Sequence, residues 1–172
     1  MYYAHMINRL LSQLIVNTKQ SVLILGPRQT GKSTMLSSLK PDLTINLADE
    51  EVFLPFASNP GELRSRIAAL VTKKPTTTIF LDEIQRIPNL LNTIQALIDE
   101  EKSALRFLLS GSSARKLRRG KANLLPGRVH AFNLGPIVAA ELDYQLNTER
   151  ALSLGTLPGI LLEKDLLAAQ QT

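Results

Sequence analysis

The stretch Gly26-Pro27-Arg28-Gln29-Thr30-Gly31-Lys32-Ser33-Thr34 follows an apolar run at residues 22–25 and opens into a helical pattern at residues 35–39. Gly26, Gly31, Lys32 and Ser33 fit the phosphate-loop pattern G-x-x-x-x-G-K-S/T without a mismatch. Two glycines let the backbone curl until successive N–H groups converge on phosphate oxygens, and the following helix adds its positive end. In that pattern the lysine reaches the β- and γ-phosphates and the hydroxyl after it ligates Mg²⁺. With glycine at roughly 7% of residues, a chance match in a chain this long falls below about one in a hundred. The strand-before, helix-after setting lowers that further, so residues 26–34 are read as a nucleotide-phosphate site.

A second nucleotide element appears further on. Residues 78–81 (TIFL) form an apolar strand that delivers Asp82 and Glu83 at its tip. A carboxylate there can hold the hydration shell of Mg²⁺ opposite Ser33, and Glu83 is placed to orient or deprotonate a water. Gln85 is either a further polar contact or a surface residue. Another strand, residues 105–109, runs into Ser110-Gly111-Ser112-Ser113. A hydroxyl between carboxylate and loop senses a γ-phosphate or positions water, with Ser110 the better placed and Ser112 second. Arg128 follows Pro126-Gly127, and from there an arginine can reach the γ-phosphate of its own or a neighbouring subunit and stabilise transition-state charge. The run Arg115, Lys116, Arg118, Arg119 and Lys121 admits a solvated face, a lid or a nucleic-acid backbone patch.

The chain has 172 residues and a net charge of +5, enough for one domain with a small appendage. It contains no cysteine, which excludes disulfides, thiolate metal sites and a thiol nucleophile. His5 and His130 lie far apart, and tryptophan is absent, which disfavours a stacking platform for single strands. No apolar run approaches the ~20 residues of a membrane span, and the start does not read as a signal peptide. The expectation is a cytoplasmic protein without membrane insertion.

Taken in order, the pattern predicts a leading amphipathic helix with Met6, Leu10 and Leu14 on its stripe, thickened by Ile7, Leu11 and Ile15. Arg9 on that helix reads as a surface charge. Strands are expected at 21–25, 43–47, 78–81, 105–109 and 129–134. Helices are expected at 32–40, along Leu63, Ile67 and Leu70, along Leu91, Ile94, Leu97 and Ile98, and around 137–145 and 161–169. Residues 48–51 read as an acidic turn. Alternating strands and helices predict an α/β fold with a parallel sheet covered on both faces, its ligand at the carboxyl ends of the strands.

GPRQTGKST, IFLDEIQ, LLSGSSARKL and LLPGRV, in that order, resemble a family of prokaryotic AAA-superfamily ATPases in which a P-loop domain precedes a C-terminal domain of unknown function. The resemblance spans nearly the whole chain, from the helix carrying Arg9 to Leu157-Pro158-Gly159. It implies a three-layer P-loop fold with strand order 5-1-4-3-2, an ATP site with Mg²⁺, Asp82 and Glu83 as the second nucleotide motif, and self-association. Adenine preference rests on the resemblance alone. Ser110 stands where relatives often carry threonine. The division expected is an ATPase core at 1–135 and a helical appendage at 136–172 that begins a shortened C-terminal region. An ATPase, an ATP-dependent switch with a protein or nucleic-acid partner, and a small-molecule kinase remain the three functional readings.

Overall fold

Five short apolar runs become five parallel strands in a computed structural model of the chain, which describes residues 7–59, 61–71, 76–101, 104–113, 117 and 124–163. The strands are β1 (Ser21–Leu25), β2 (Leu43–Asn46), β3 (Thr77–Asp82), β4 (Leu105–Gly111) and β5 (Val129–Asn133). Their order across the sheet is β2-β3-β4-β1-β5, which is 5-1-4-3-2 read from the other edge. The central strands are apolar at nearly every position because both faces are covered. Every residue of β1 is buried.

Side chains alternate between the two faces. Leu23 and Leu25 of β1 join Ile79, Leu81, Phe107 and Leu109 on one side, packed against α4 (Glu62–Val71) and α5 (Leu90–Glu101). Val22 and Ile24 join Phe80 and Leu108 on the other, against Ile15 of α1 (Leu10–Asn17) and Met35 and Leu36 of α2 (Lys32–Ser37). The result is a three-layer α/β P-loop fold.

Several local expectations change. The leading helix buries Ile15 and half-buries Leu11, whereas Leu10 and Leu14 are 51% and 60% exposed. A helix this short turns only one narrow face to the sheet, and the expected stripe was too wide for it. The acidic turn at 48–51 is instead the start of α3 (Glu50–Ser58), with Asp49 accepting the Glu51 N–H at 2.9 Å as its cap. Pro55 sits inside that helix, where the ring ordinarily costs about 3 kcal/mol. The cap, the acidic first turn and the buried Phe56 offset it.

Beyond β5, the pattern at 137–145 yields only a 3₁₀ turn, Ala139–Leu142. Helix α6 (Thr148–Leu154) was not expected; the Asn147 side chain caps it by accepting the Arg150 N–H at 2.9 Å. Helix α7 (Pro158–Leu162) begins with proline in its first turn, ahead of the expected start at 161. The rest of that pattern, residues 164–169, lies outside the described residues.

Candidate functional site

Parallel strands deliver their carboxyl ends to one edge, and the register fixes which residues meet there. Leu25 pairs with Gly111 and Asn133, and Asn46 pairs with Asp82. The loop 26–31 therefore leaves β1 level with the ends of β3 and β4. Gly26 has φ +153°, and a Cβ there would stand 2.1 Å from the Leu134 carbonyl oxygen, so only glycine lets the loop pass β5. Gly31, at φ +86°, makes the left-handed turn into α2.

Within the loop, Thr30 is fully buried, and its hydroxyl donates to the Pro27 carbonyl at 3.0 Å. The Lys32 ammonium donates to the Gly26 carbonyl at 2.9 Å and to that of Pro27. Burial pushes the Lys32 pKa below its ordinary value, and the nearby charges of Glu83 and Asp82 act against that shift. Arg28, Gln29, Gly31, Lys32, Ser33 and Thr34 form one wall of an open cleft of about 880 Å³, within the range of ligand sites. Glu83, Gln85, Arg86, Ala48 and Pro158 line the remainder.

The opposite wall is built on β3. Asp82 is held by the Ser110 hydroxyl, which donates to its Oδ1. Glu83 has φ +58°, an uncommon conformation for a side chain of this size. Its N–H is secured by Asp82 Oδ1 at 3.1 Å and Ser110 Oγ at 3.3 Å. The Glu83 carboxylate accepts from the Gln85 amide and, at 3.2 Å, from the Ser112 hydroxyl. Gln85 also donates to Ser112 Oγ at 3.0 Å and accepts the Ser112 N–H at 3.2 Å. Gln85 is 9% exposed, so it belongs to the site and not to the surface.

The loop, Asp82 and Glu83 thus converge. Ser110 does so beneath the cleft: it is fully buried, with its hydroxyl donating to Asp82. Arg128 does not converge. It precedes β5, whose Val129 pairs with Ser21 at the amino end of β1. Four residues of strand, roughly 13 Å, separate that level from the loop. Its guanidinium grips Asp99 instead, at 2.7 and 3.0 Å. Reach to the γ-phosphate of its own chain is therefore corrected, because the strand runs the wrong way for it. The residues of the basic run, 115–116, 118–119 and 121, lie outside the described residues.

Two contributors escaped the sequence reading. Arg86 on the cleft wall donates to the Leu47 and Ala48 carbonyls at 2.8 and 3.0 Å, pairs with Glu50, and stacks over Phe53 at 4.3 Å. Arg9 was read as a surface charge but is 6% exposed, with its guanidinium on the Thr30 carbonyl. Its partners lie 21 and more than 120 residues away, beyond what spacing reveals. A second, smaller cavity of about 260 Å³ adjoins the cleft at Gly31, Thr34 and Pro158, with Met35, Ile137 and Leu162 among its apolar walls.

Among the described residues no group of three or more His, Cys, Asp or Glu side chains converges. One carboxylate, Asp82, with the Ser33 hydroxyl is nevertheless the donor set that suits Mg²⁺, which keeps waters and phosphate oxygens as its other ligands. No helix among the described residues is long and apolar enough to cross a membrane.

Residues 18–142 match a family model described as an AAA domain. Uncharacterized proteins of Mycobacterium bovis and Mycobacterium tuberculosis are each 30% identical over 124 residues, covering 70% of this chain and 26% of theirs. The chain spans about a quarter of the length of those relatives. Among solved structures, C. elegans PCH-2 matches at 19% identity and a TM-score of 0.49, over 75% of this chain and 38% of its own. The Pif1 helicase of Candida albicans matches at 16% identity and 0.49, over 87% and 44%.

Proposed function

This chain belongs to the family of AAA domains, and on that premise we propose that it binds ATP together with Mg²⁺ and hydrolyses the terminal anhydride. The observation that carries the reading is Glu83 lining the same open cleft as Lys32 and Ser33, with the Asp82 charge also acting on Lys32. A phosphate loop alone would serve binding; Glu83 on the opposite wall, with Asp82 next to it in the chain, supplies what hydrolysis needs.

The roles follow from position. The N–H groups of residues 28–34 cradle the phosphates, and Lys32 leaves the Gly26 and Pro27 carbonyls to neutralise β- and γ-oxygens. Ser33 and Asp82 would hold Mg²⁺, which would supply positive charge to offset that of the phosphates. Ser110 orients Asp82. Glu83 accepts a proton from, or aligns, the attacking water. The smaller cavity beside Gly31 and Thr34 is apolar enough to take the base, with adenine the expected one.

Arg128 enters only in trans. Its place at the far edge of the sheet supports contact with the nucleotide of a neighbouring copy in a homo-oligomer, not with its own. Residues 136–172 are taken as an appendage to a core at 1–135, and a cytoplasmic setting is part of the same proposal. A protein or nucleic-acid partner is left to experiment.

A second reading is a nucleotide-dependent switch with negligible turnover. It draws on one observation: one oxygen of the Glu83 carboxylate, Oε2, is engaged by both Gln85 and Ser112. A panel of ATP, ADP and GTP, each with Mg²⁺, tests the proposal by calorimetric binding and by phosphate release. ATP binding with release supports hydrolysis, and ATP binding without release supports the switch. Absence of binding overturns both, and phosphate passed to an acceptor in place of water turns the reading to a kinase.

A further inference from the structure

Arg9 immediately precedes α1, and each edge of its guanidinium donates a hydrogen bond. Nε donates to Glu141 Oε1 at 2.9 Å, one terminal nitrogen to the Thr30 carbonyl, and the other to the Gly135 carbonyl at 2.8 Å. The Glu141 carboxylate also accepts the N–H groups of Leu10 at 3.0 Å and Val138 at 3.2 Å. The two side chains are 7% and 4% exposed. One buried cation therefore joins three segments that are distant in sequence: the start of α1, the phosphate loop and residues 135–141. A buried ion pair contributes little net stability against an apolar replacement of the same shape, so its presence here needs another reason.

Peptide geometry supplies one. The Thr30 carbonyl and the Gly31 N–H belong to the same planar trans unit and point in opposite directions. Holding the carbonyl toward Arg9 turns the Gly31 N–H the other way. Gly31 lines the cleft, and its α-carbon sits so close that a Cβ would lie 3.9 Å from the Arg9 guanidinium. The grip on the carbonyl thus bears directly on one donor of the phosphate cradle.

We propose that Arg9 is a positioning residue for the phosphate loop. It aims the Gly31 N–H into the cleft and, through Glu141 and Gly135, ties that aim to the placement of residues 135–142. Phosphate on the loop and the docking of this segment then reinforce each other, because each favours the same orientation of one peptide plane. The proposal rests on the nucleotide-binding reading above.

Hydrogen exchange on the whole chain, with and without Mg²⁺ADP, separates the two. In the unaltered protein ADP slows exchange at the amides of residues 31–34 and also at residues 137–142. Arg9→Lys loses the fork that spans three segments, and ADP affinity falls roughly tenfold, the worth of one charge-assisted hydrogen bond. At saturating ADP the loop amides of that variant are still protected, whereas residues 137–142 no longer respond. Glu141→Gln leaves the Thr30 contact in place, so affinity falls less while the response at 137–142 is again weakened; this variant decides the matter if Arg9→Lys does not fold. Unchanged affinity and an undiminished response at 137–142 in both variants overturn the proposal and leave Arg9 as packing. No loop protection in the unaltered chain overturns the nucleotide reading itself, a result distinct from the first.

Discussion

Replacing Gly26 with alanine strikes the point where the phosphate loop leaves the sheet. The added Cβ would meet the Leu134 oxygen at 2.1 Å, against a floor near 3.0 Å that real Cβ contacts respect. Backbone is on both sides, so relief requires β1 and the segment after β5 to part by about 1 Å. The Leu134 N–H to Leu25 carbonyl bond, now 2.8 Å, spans this gap and would stretch beyond hydrogen-bonding range. Its loss costs about 1 kcal/mol. A φ of +153° adds roughly 1–3 kcal/mol for a residue with a side chain. The total is roughly 2–4 kcal/mol, which for a chain of this size lowers Tm by roughly 4–16 °C. Gly31→Ala is the control. It shares the positive φ but its Cβ meets nothing nearer than 3.8 Å, so only the left-handed penalty of roughly 1–2 kcal/mol applies. Thermal unfolding without nucleotide compares the pair. Gly26→Ala should unfold at the lower temperature, and equal Tm values or the reverse order would refute the steric argument.

Other consequences are equally direct. Gln85→Ala frees the Glu83 carboxylate from one of its two side-chain partners, so kcat for ATP should fall by roughly tenfold through lost positioning while ATP affinity stays nearly unchanged; an affinity loss of the same size would place Gln85 in binding. Arg128→Ala removes an exposed pair with Asp99 and should leave the urea unfolding midpoint nearly unchanged. If Arg128 acts on a neighbouring copy, turnover of this variant is low at every protein concentration while the unaltered chain gains specific activity on concentration; activity equal to the unaltered chain removes the trans role. Burial pushes the Glu141 pKa up, but the hydrogen bonds from Arg9, Val138 and Leu10 outweigh it and hold the carboxyl below the ordinary 4.5. A depressed folded pKa gives stability that is complete above the unfolded value and is lost as pH falls through the folded one. The Tm gap between the unaltered chain and Glu141→Gln should thus be constant from neutral pH down to about 4.5 and close below it; a gap that closes on raising pH would contradict the assignment.

Much of the site was legible because its chemistry is local. The loop at 26–34 and the strand-borne Asp82-Glu83 are contiguous motifs, and strands buried on both faces announce themselves as unbroken apolar runs such as residues 22–25. Parallel pairing then brings both motifs to one edge without further information. Other features depend on where a distant segment arrives. Arg9 is a lone charge in sequence, and only the return of the chain after β5 brings Gly135 and Glu141 to it. In sequence Gln85 reads equally as a polar contact or a surface residue, because its partner Ser112 sits at the end of a different strand. For Arg128 the same-chain reach fails because the residues before a strand lie at the amino edge of a parallel sheet, opposite the ligand edge. Helix α3 was hidden by Pro55, a residue that signals a break when read alone and is tolerated here by the Asp49 cap and a buried Phe56.

The central claim is that Glu83, facing the loop across the cleft, turns phosphate binding into hydrolysis. Phosphate release from Mg²⁺ATP, measured for the unaltered chain and Glu83→Gln with binding followed in parallel, tests it most directly. The substitution keeps size and hydrogen-bonding capacity but removes the charge that accepts a proton, so binding should persist and release should fall by at least roughly a hundredfold. Release that continues in Glu83→Gln at the unaltered rate would contradict the account.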